Sequence, residues 1–499
     1  MTAHRPAWAR RSFAAVSIAV LTAAFLWPAL VTGAPWAFPD TASYYKGGAA
    51  AWEFALDAVG LADPSLPDAA TQPEPEAGRD GPDAPVGPAP AGEPAPAADA
   101  AAEAGAGQAP NVRYGIRSVP YSLVVYASVR FVSLWAPIVM MSAAIAVLVW
   151  MTARALAPPV RLAIGLGLAA TTVLPFFGAL FQPDILTAAV VLVPIIVMLH
   201  DDSLGWGALL TLFAGMAFAT LAHYGNLPLA GLALLWLGAW GLLRRRRRVV
   251  GLVAIPVAAS VVVNLAIALA IDAGPSLAPG RYPLLLARSI EDGPGYDYLT
   301  EACPEAEWAL CEVYGDEIPS NIGQFLWSEE GIRERATPEQ LARIGAEELP
   351  LLLAIVRHDP AGQVGAFLRN AARQFVLFGD AGSYPAEYVV TNATMEAVAT
   401  ESERYPAPPE RAQLVVVLLG AAALIVASLR RRHPEALAVG AFLLASLVVY
   451  AAVCGGLSAP VPRYQARLIW IVPLIGAVLI LSRRPETSAA APAPAARHA

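Results

Sequence analysis

The sequence predicts an all-α polytopic membrane protein, with about ten transmembrane helices and a mainly helical outer segment. Two observations carry that expectation. The 499 residues are 57% hydrophobic and only 15% charged, whereas a soluble domain carries about 25% charge. Long apolar runs also recur along the chain, with the dense arginine clusters between alternate runs. The net charge of −7 is a local effect. The stretch 62–110 holds nine acids and a single base, Arg79. The remainder is near neutral and offers no basic surface for nucleic acid.

Residues 1–61 open with Arg5, Arg10 and Arg11, then run apolar over 12–31. That run is about 20 residues, enough to cross a bilayer and longer than the roughly 7–15 of a signal-peptide core. It reads as a retained first helix. Over 44–59, Tyr45, Trp52, Leu56 and Val59 fall on one side, as in an amphipathic helix at a membrane interface. Residues 62–111 are rich in Pro, Ala and acids, without periodicity, and read as a disordered insertion. Within 112–271 the apolar spans are 131–153, 162–181, 184–199, 206–222, 227–243 and 249–271. A polar segment fills 272–411. Within 412–484 come the spans 412–429, 436–454 and 465–482, and 485–499 reads as a disordered tail.

With the N-terminus inside, Arg10, Arg11, Arg154, Arg161, Arg244 to Arg248, Arg430 to Arg432, Arg483 and Arg484 all fall on the inner side. This is the distribution that orients membrane proteins, so topology accounts for the clusters without any ligand. The pair 162–181 and 184–199 is either two full spans or a shallow hairpin; parity is the same. Asp40, Arg117, Gln182 to Asp184, His223, 272–411 and Arg463 to Arg467 are then outer. The outer segment carries two helix starts: Thr337-Pro338-Glu339-Gln340 is a capping box with an N1 proline, and Asp359-Pro360 opens a second helix. That second helix places Val364, Phe367, Leu368, Ala371 and Phe375 on a stripe for the membrane surface or the bundle. Cys303 and Cys311 share this segment. They would pair as a disulfide in an oxidising compartment, and otherwise stay free thiols.

The candidate chemistry lies on the outer side. Asp40 is either a general base for an acceptor hydroxyl or the N-cap of the helix beginning at Thr41. Asp184, in the turn Gln182-Pro183-Asp184, is an acid close to hydrocarbon that needs solvent or a partner; otherwise it caps the helix beginning at Ile185. Arg463 and Arg467, with Tyr464 and Gln465 between them, stand where arginine is disfavoured. They suit a lipid-linked phosphate, or else snorkel to headgroups. Arg117 is a third such arginine. His223 has no His, Cys or acid at ligand spacing, so it reads as packed rather than metal-binding. Asn392-Ala393-Thr394 is a minimal glycosylation match. No Walker loop, dinucleotide fingerprint or Gly-x-Ser-x-Gly elbow is present.

Several stretches together resemble bacterial GT-C-type membrane glycosyltransferases, which use polyprenyl-phosphate-linked sugars. They are Pro39-Asp40-Thr41, Arg117-Ser118, Gln182-Pro183-Asp184-Ile185, Asp292-Gly293-Pro294-Gly295-Tyr296, Phe325-Leu326-Trp327 and Arg463-Tyr464-Gln465-Ala466-Arg467. The resemblance implies a multi-pass bacterial inner-membrane protein with both termini cytoplasmic. It implies inverting transfer of a sugar from a polyprenyl-phosphate donor to an envelope acceptor. Asp40 would be the base, Asp184 a supporting acid, and Arg463 or Arg467 a phosphate ligand. A divalent metal is the one cofactor the resemblance would allow, but the first-loop acid is single here, not an Asp-Glu or Asp-x-Asp pair. Two other classes compete: a transporter or flippase for a lipid-linked or anionic solute, which predicts charges within the spans, and a non-catalytic envelope-assembly protein in which both acids are caps.

Overall fold

The computed structural model describes residues 7–38, 41–58, 60, 117–271, 275–303, 305–379, 388–391, 397–399, 406–430 and 434–482. Asp40, the 62–110 stretch and Asn392 to Thr394 lie outside the described residues. The described chain is overwhelmingly α-helical and forms a helical bundle with a smaller helical unit. Each has its own hydrophobic core. The segment expected to be mainly helical also holds a little β-structure. Tyr388–Val390 and Ala397–Ala399 pair as a short antiparallel ribbon, Val389 opposite Val398. Trp36 bridges this ribbon to Leu180.

Among the described residues, six helices are long and apolar enough to cross a membrane: Pro183–Ser203, Asn226–Leu243, Arg247–Ala270, Glu410–Leu429, Ala436–Gly456 and Pro462–Leu481. Arg11–Phe25, Ala136–Thr152 and Trp206–Ala222 are apolar but shorter. The stretch 162–181 is not one helix. It divides into Pro158–Thr171 and Leu174–Ala179. Pro175 stands in the first turn of the second piece, where it can neither donate to the preceding turn nor fit against it. The amide this break exposes at Val173 is taken by Gln413 Oε1 at 2.9 Å. Pro28 similarly divides the first apolar run into Ala7–Phe25 and Trp27–Thr32.

Position in the bundle follows from apolar coverage. Thr187–His200 is apolar on nearly every side, and 89% of the Pro183–Ser203 window is buried; a helix hydrophobic all round belongs at the centre. Glu410–Leu429 is only 22% buried, and its Leu414, Leu418, Leu419 and Ile425 are exposed, as suits a lipid-facing surface. It meets the last helix backbone to backbone. A Cβ on Gly476 would lie 2.3 Å from the Gly420 carbonyl oxygen, and one on Gly420 would lie 2.4 Å from Pro473 Cα. Small residues permit this approach in the absence of a hydrophobic drive between helices.

The two ends of the bundle differ chemically. At one end Arg246 pairs with Asp201 (3.3 Å) and Asp202 (2.5 Å), Arg248 with Asp201 (3.3 Å), and Arg244 with Glu435 (2.6 Å). The arginine run thus joins three loops as well as marking a side. At the opposite ends of the same helices lie Asp184, His223, Tyr450 and Arg467.

The smaller unit follows the local signals. Thr337 and Gln340 form the full capping box of Pro338–His358, and the Asp359 carboxylate accepts from Gly362 N at 2.8 Å to start Pro360–Val376. Cys303 and Cys311 are joined by a disulfide. Pro360–Val376 docks on the bundle through Phe367, Asn370, Gln374 and Phe375, while Val364 and Leu368 are exposed. Of the expected stripe, Phe367 and Phe375 therefore meet the bundle and Val364 and Leu368 do not. Gly455 and Gly456, in a π-helical turn, make room for Gln374 and Phe367. Two stretches of the resemblance have structural duties here. Asp292 accepts from Arg288 (2.7 Å) and Asn370 (2.8 Å), and Phe325 and Leu326 are fully buried in the smaller core.

Candidate functional site

The site is assembled at the Asp184 end from segments distant in sequence. The first is Pro462–Ile469, a short helix with proline in its first turn. Arg463 and Arg467 are four residues apart on it and share a face. Gln374 sets its entry: it donates to the Val461 carbonyl at 2.9 Å and accepts from Val461 N at 2.7 Å. The second is the 3₁₀ turn Pro183–Leu186 carrying Asp184. Its approach is fixed where Phe181 N donates to Trp36 O at 2.9 Å. The third is the loop His223–Gly225 after Trp206–Ala222. The fourth is Arg117-Ser118; the Ser118 hydroxyl donates to Leu221 O at 2.7 Å and caps the helix Val119–Phe131.

Arg467 is the centre. It is 2% exposed, and its Nη2 lies 2.7 Å from Asp184 Oδ2, whose side chain is 4% exposed. Its Nη1 donates to the Tyr450 hydroxyl at 2.8 Å and lies 3.4 Å from His223 Nε2. Its guanidinium also sits over the Tyr464 ring at 4.9 Å. The reading of Asp184 as a helix cap is therefore corrected. The turn it occupies has no side-chain cap, and the carboxylate is the counter-ion of a buried arginine. Gln182 is buried and extended, and caps nothing.

Arg463 differs. Its guanidinium stacks on Phe38 at 4.2 Å and reaches Tyr464 at 5.3 Å. Its Nε and Nη1 are buried and have no hydrogen-bond partner, as is also true of Arg467 Nε and the Tyr224 hydroxyl. Buried donors left unmade are costly. Asp40 lies outside the described residues, but its neighbours are described. Phe38 N donates to the Thr41 hydroxyl and Thr41 N to Phe38 O, both at 2.8 Å. The helix Thr41–Ala58 thus starts beside the residue on which Arg463 stacks. This helix packs on Val119–Phe131 through Tyr44 against Tyr121 and Trp52 against Tyr126.

His223 reads the local field. Burial first, then Arg467, push its pKa down to about 4; Arg117 and Arg463 act in the same direction and Asp184 opposes them. Among the described residues, three guanidiniums and one carboxylate therefore act on this imidazole. Burial also pushes the neighbouring Tyr224 up to about 12. Among the described residues, the carboxylate here, Asp184, is already paired, and the arginines that act on His223 oppose a cation. Among the described residues no three His, Cys, Asp or Glu side chains converge as metal ligands.

The structure brings together Asp184, Arg463, Arg467, Tyr464 and His223, with Arg117 in electrostatic reach. Tyr450, Tyr224 and Phe38 join them without having been singled out from the sequence. A lone tyrosine late in an apolar helix, as at Tyr450, is the one signal the sequence offers for them. Compared with known proteins, the chain matches no family model, no curated protein and no solved structure.

Proposed function

We propose that this chain is a membrane glycosyltransferase-like protein that takes its sugar from a polyprenyl-phosphate donor at the outer ends of its helices. One observation supports the reading: at the end of an apolar bundle opposite the arginines paired with Asp201, Asp202 and Glu435, Arg463 stacks on Phe38 with buried Nε and Nη1 donors that have no hydrogen-bond partner. Among the described residues Asp184 neutralises Arg467, and Arg463 has no such counter-ion. The surplus of positive charge and N–H donors suits an anion, and at this depth the anion of choice is a phosphate carried on a lipid.

In this reading the chain crosses the bacterial inner membrane about ten times, with both termini cytoplasmic and the disulfide-bearing unit outside. Asp40 takes the proton of the acceptor hydroxyl while that oxygen attacks the anomeric carbon. The carbon–oxygen bond to phosphate breaks, and its electron pair leaves with the lipid phosphate, whose charge Arg463 stabilises. Asp184 holds Arg467 in place, taking part in no proton transfer. The transporter reading has one observation in its favour, because Asp184 and Arg467 stand inside the ends of apolar helices.

The test is a chromosomal Asp40→Asn or Arg463→Gln replacement, followed by mass spectrometry of envelope glycans and lipid-linked sugars. Loss of one glycan modification with accumulation of its lipid-linked donor, at normal protein level, is expected. Unchanged glycans in both variants would refute the transferase reading.

A further inference from the structure

We infer that His223 is a specificity-determining residue of the anion site: its Nε2–H and an Nη1–H of Arg467 converge on one anionic oxygen of the ligand. The inference rests on the phosphate reading above.

Lone pairs decide which ring nitrogen carries the proton. A neutral imidazole has one acceptor nitrogen and one N–H. Two donors address this ring. Gly225 N–H donates to Nδ1 at 3.1 Å, and Arg467 Nη1, which has only N–H groups to offer, faces Nε2 at 3.4 Å. Both cannot be accepted. The backbone bond is the shorter, and its direction is fixed by the turn: Asn226 N donates to His223 O at 2.9 Å, and the Asn226 side chain donates to Ala219 O at 2.8 Å. Nδ1 is therefore the acceptor and Nε2 carries the proton. Two N–H groups then face each other.

Losing the proton from Nε2 would give an imidazolate, which lies far outside physiological pH. Adding one at Nδ1 would break the Gly225 bond and place a cation in the field of Arg467, Arg463 and Arg117, with Asp184 the opposing group among the described residues; burial and these arginines hold the ring neutral. The described groups that act on this pair are thus three arginines, one carboxylate already bonded to Arg467, and the Tyr450 hydroxyl, which is bonded to the same Nη1. No described acceptor relieves the Nε2–H and Nη1–H pair. An oxyanion seated between them accepts from both, and it also meets the unpartnered donors of Arg463 if it is a phosphate with several oxygens. A second arginine at position 223 would bind any anion by charge. A neutral N–H adds direction, and so favours an oxyanion held in one orientation over a diffuse anion such as chloride.

The test uses the full chain in lipid nanodiscs at neutral pH, labelled with ¹⁵N-histidine. The chain has six histidines, and His223→Gln assigns the signal. Farnesyl phosphate and inorganic phosphate are the probes, distinguishing a lipid-borne group from a free one. The expected spectrum of the free protein is the neutral Nε2–H tautomer, with Nε2 shifting on probe binding. His223→Phe should weaken binding by about tenfold or more, the value of one hydrogen bond to a charged acceptor. His223→Gln, which keeps an N–H donor, should stay within about threefold of wild type. An Nδ1–H tautomer would overturn the inference whatever the variants do. So would an unchanged affinity in His223→Phe while Arg463→Gln binds weakly, and in that case the phosphate reading survives. If neither probe binds the wild-type chain, both fall.

Discussion

Replacing Arg467 by Gln should destabilise the bundle more than any other single change at the site. The ion pair with Asp184 is 2.7 Å long, and its side chains are 2% and 4% exposed. At about 4 Å between charge centres and an effective dielectric near 20, the Coulomb attraction is about 4 kcal/mol. Removing one partner leaves the carboxylate buried and uncompensated, a loss of about 3–5 kcal/mol in comparable pairs. Tyr450 loses its donor as well. The double variant Asp184→Asn with Arg467→Gln removes both charges and should recover most of the loss. The measurement is a double-mutant cycle on the purified protein in detergent, followed by helical circular dichroism during denaturation. The exposed pair Arg343–Glu312 supplies the control: it is nearly as short, at 2.8 Å, but open to water on both sides, so breaking it should cost far less. A coupling between Asp184 and Arg467 below about 1 kcal/mol would refute the account of Asp184 as a counter-ion. So would a double variant less stable than either single one.

Other expectations follow from the same structure. Gln413→Ala strips the Val173 amide and the Phe378 carbonyl of their partner and should cost about 1–3 kcal/mol, read from the denaturation midpoint; no change would show that water reaches the break. Cys303→Ser with Cys311→Ser opens a loop of separation 8. Chain entropy puts the loss at about 2.5 kcal/mol, to be seen as faster proteolysis of the smaller unit alone. His223 titrates near 4 when folded and near 6.5 when unfolded. Between those values the unfolded chain binds more protons, so stability rises with pH there. It is fully present above 6.5 and is lost on acidification towards 4, on the order of 3 kcal/mol in all. His223→Gln should flatten that part of the stability–pH curve; an unaltered slope would count against a buried neutral ring. Gly476→Leu drives a side chain into the Gly420 backbone and should prevent stable folding, measured as loss of monodisperse protein on extraction.

What the sequence made legible was mostly local. The capping box at Thr337 and Gln340 and the Asp359 cap depend on residues three apart, and both are present. The apolar runs are likewise visible, because a helix in hydrocarbon needs no partner to declare itself. The break at Val173 was not legible: proline marks it, but the group that makes it tolerable, Gln413, is 240 residues away. Asp184 was legible in part for a similar reason. Its depth called for solvent or a partner and its spacing allowed a cap; Arg467, from the last helix, decides for the partner. The stripe of Pro360–Val376 was legible in part: Phe367 and Phe375 meet the bundle as periodicity favours, whereas the place of Gln374 follows from Gly455, far along the chain, which admits it.

The contrast between the two ends of the bundle bears on why Asp184 is there at all. At the Asp201 end, three arginines have carboxylate partners: Arg246 is shared between Asp201 and Asp202, Arg248 pairs with Asp201, and Arg244 is taken by Glu435. At the other end Arg463, Arg467 and Arg117 bear on His223, with Asp184 as the opposing carboxylate. Without Asp184, a buried Arg467 would carry its full desolvation cost among like charges. On the phosphate reading proposed above, a second carboxylate against Arg463 would cancel the charge that reading needs; Asp184, placed against Arg467, leaves it. It fixes Arg467 with Nη1 turned towards His223, and it leaves Arg463, stacked on Phe38 beside the start of Thr41–Ala58, with its donors unspent.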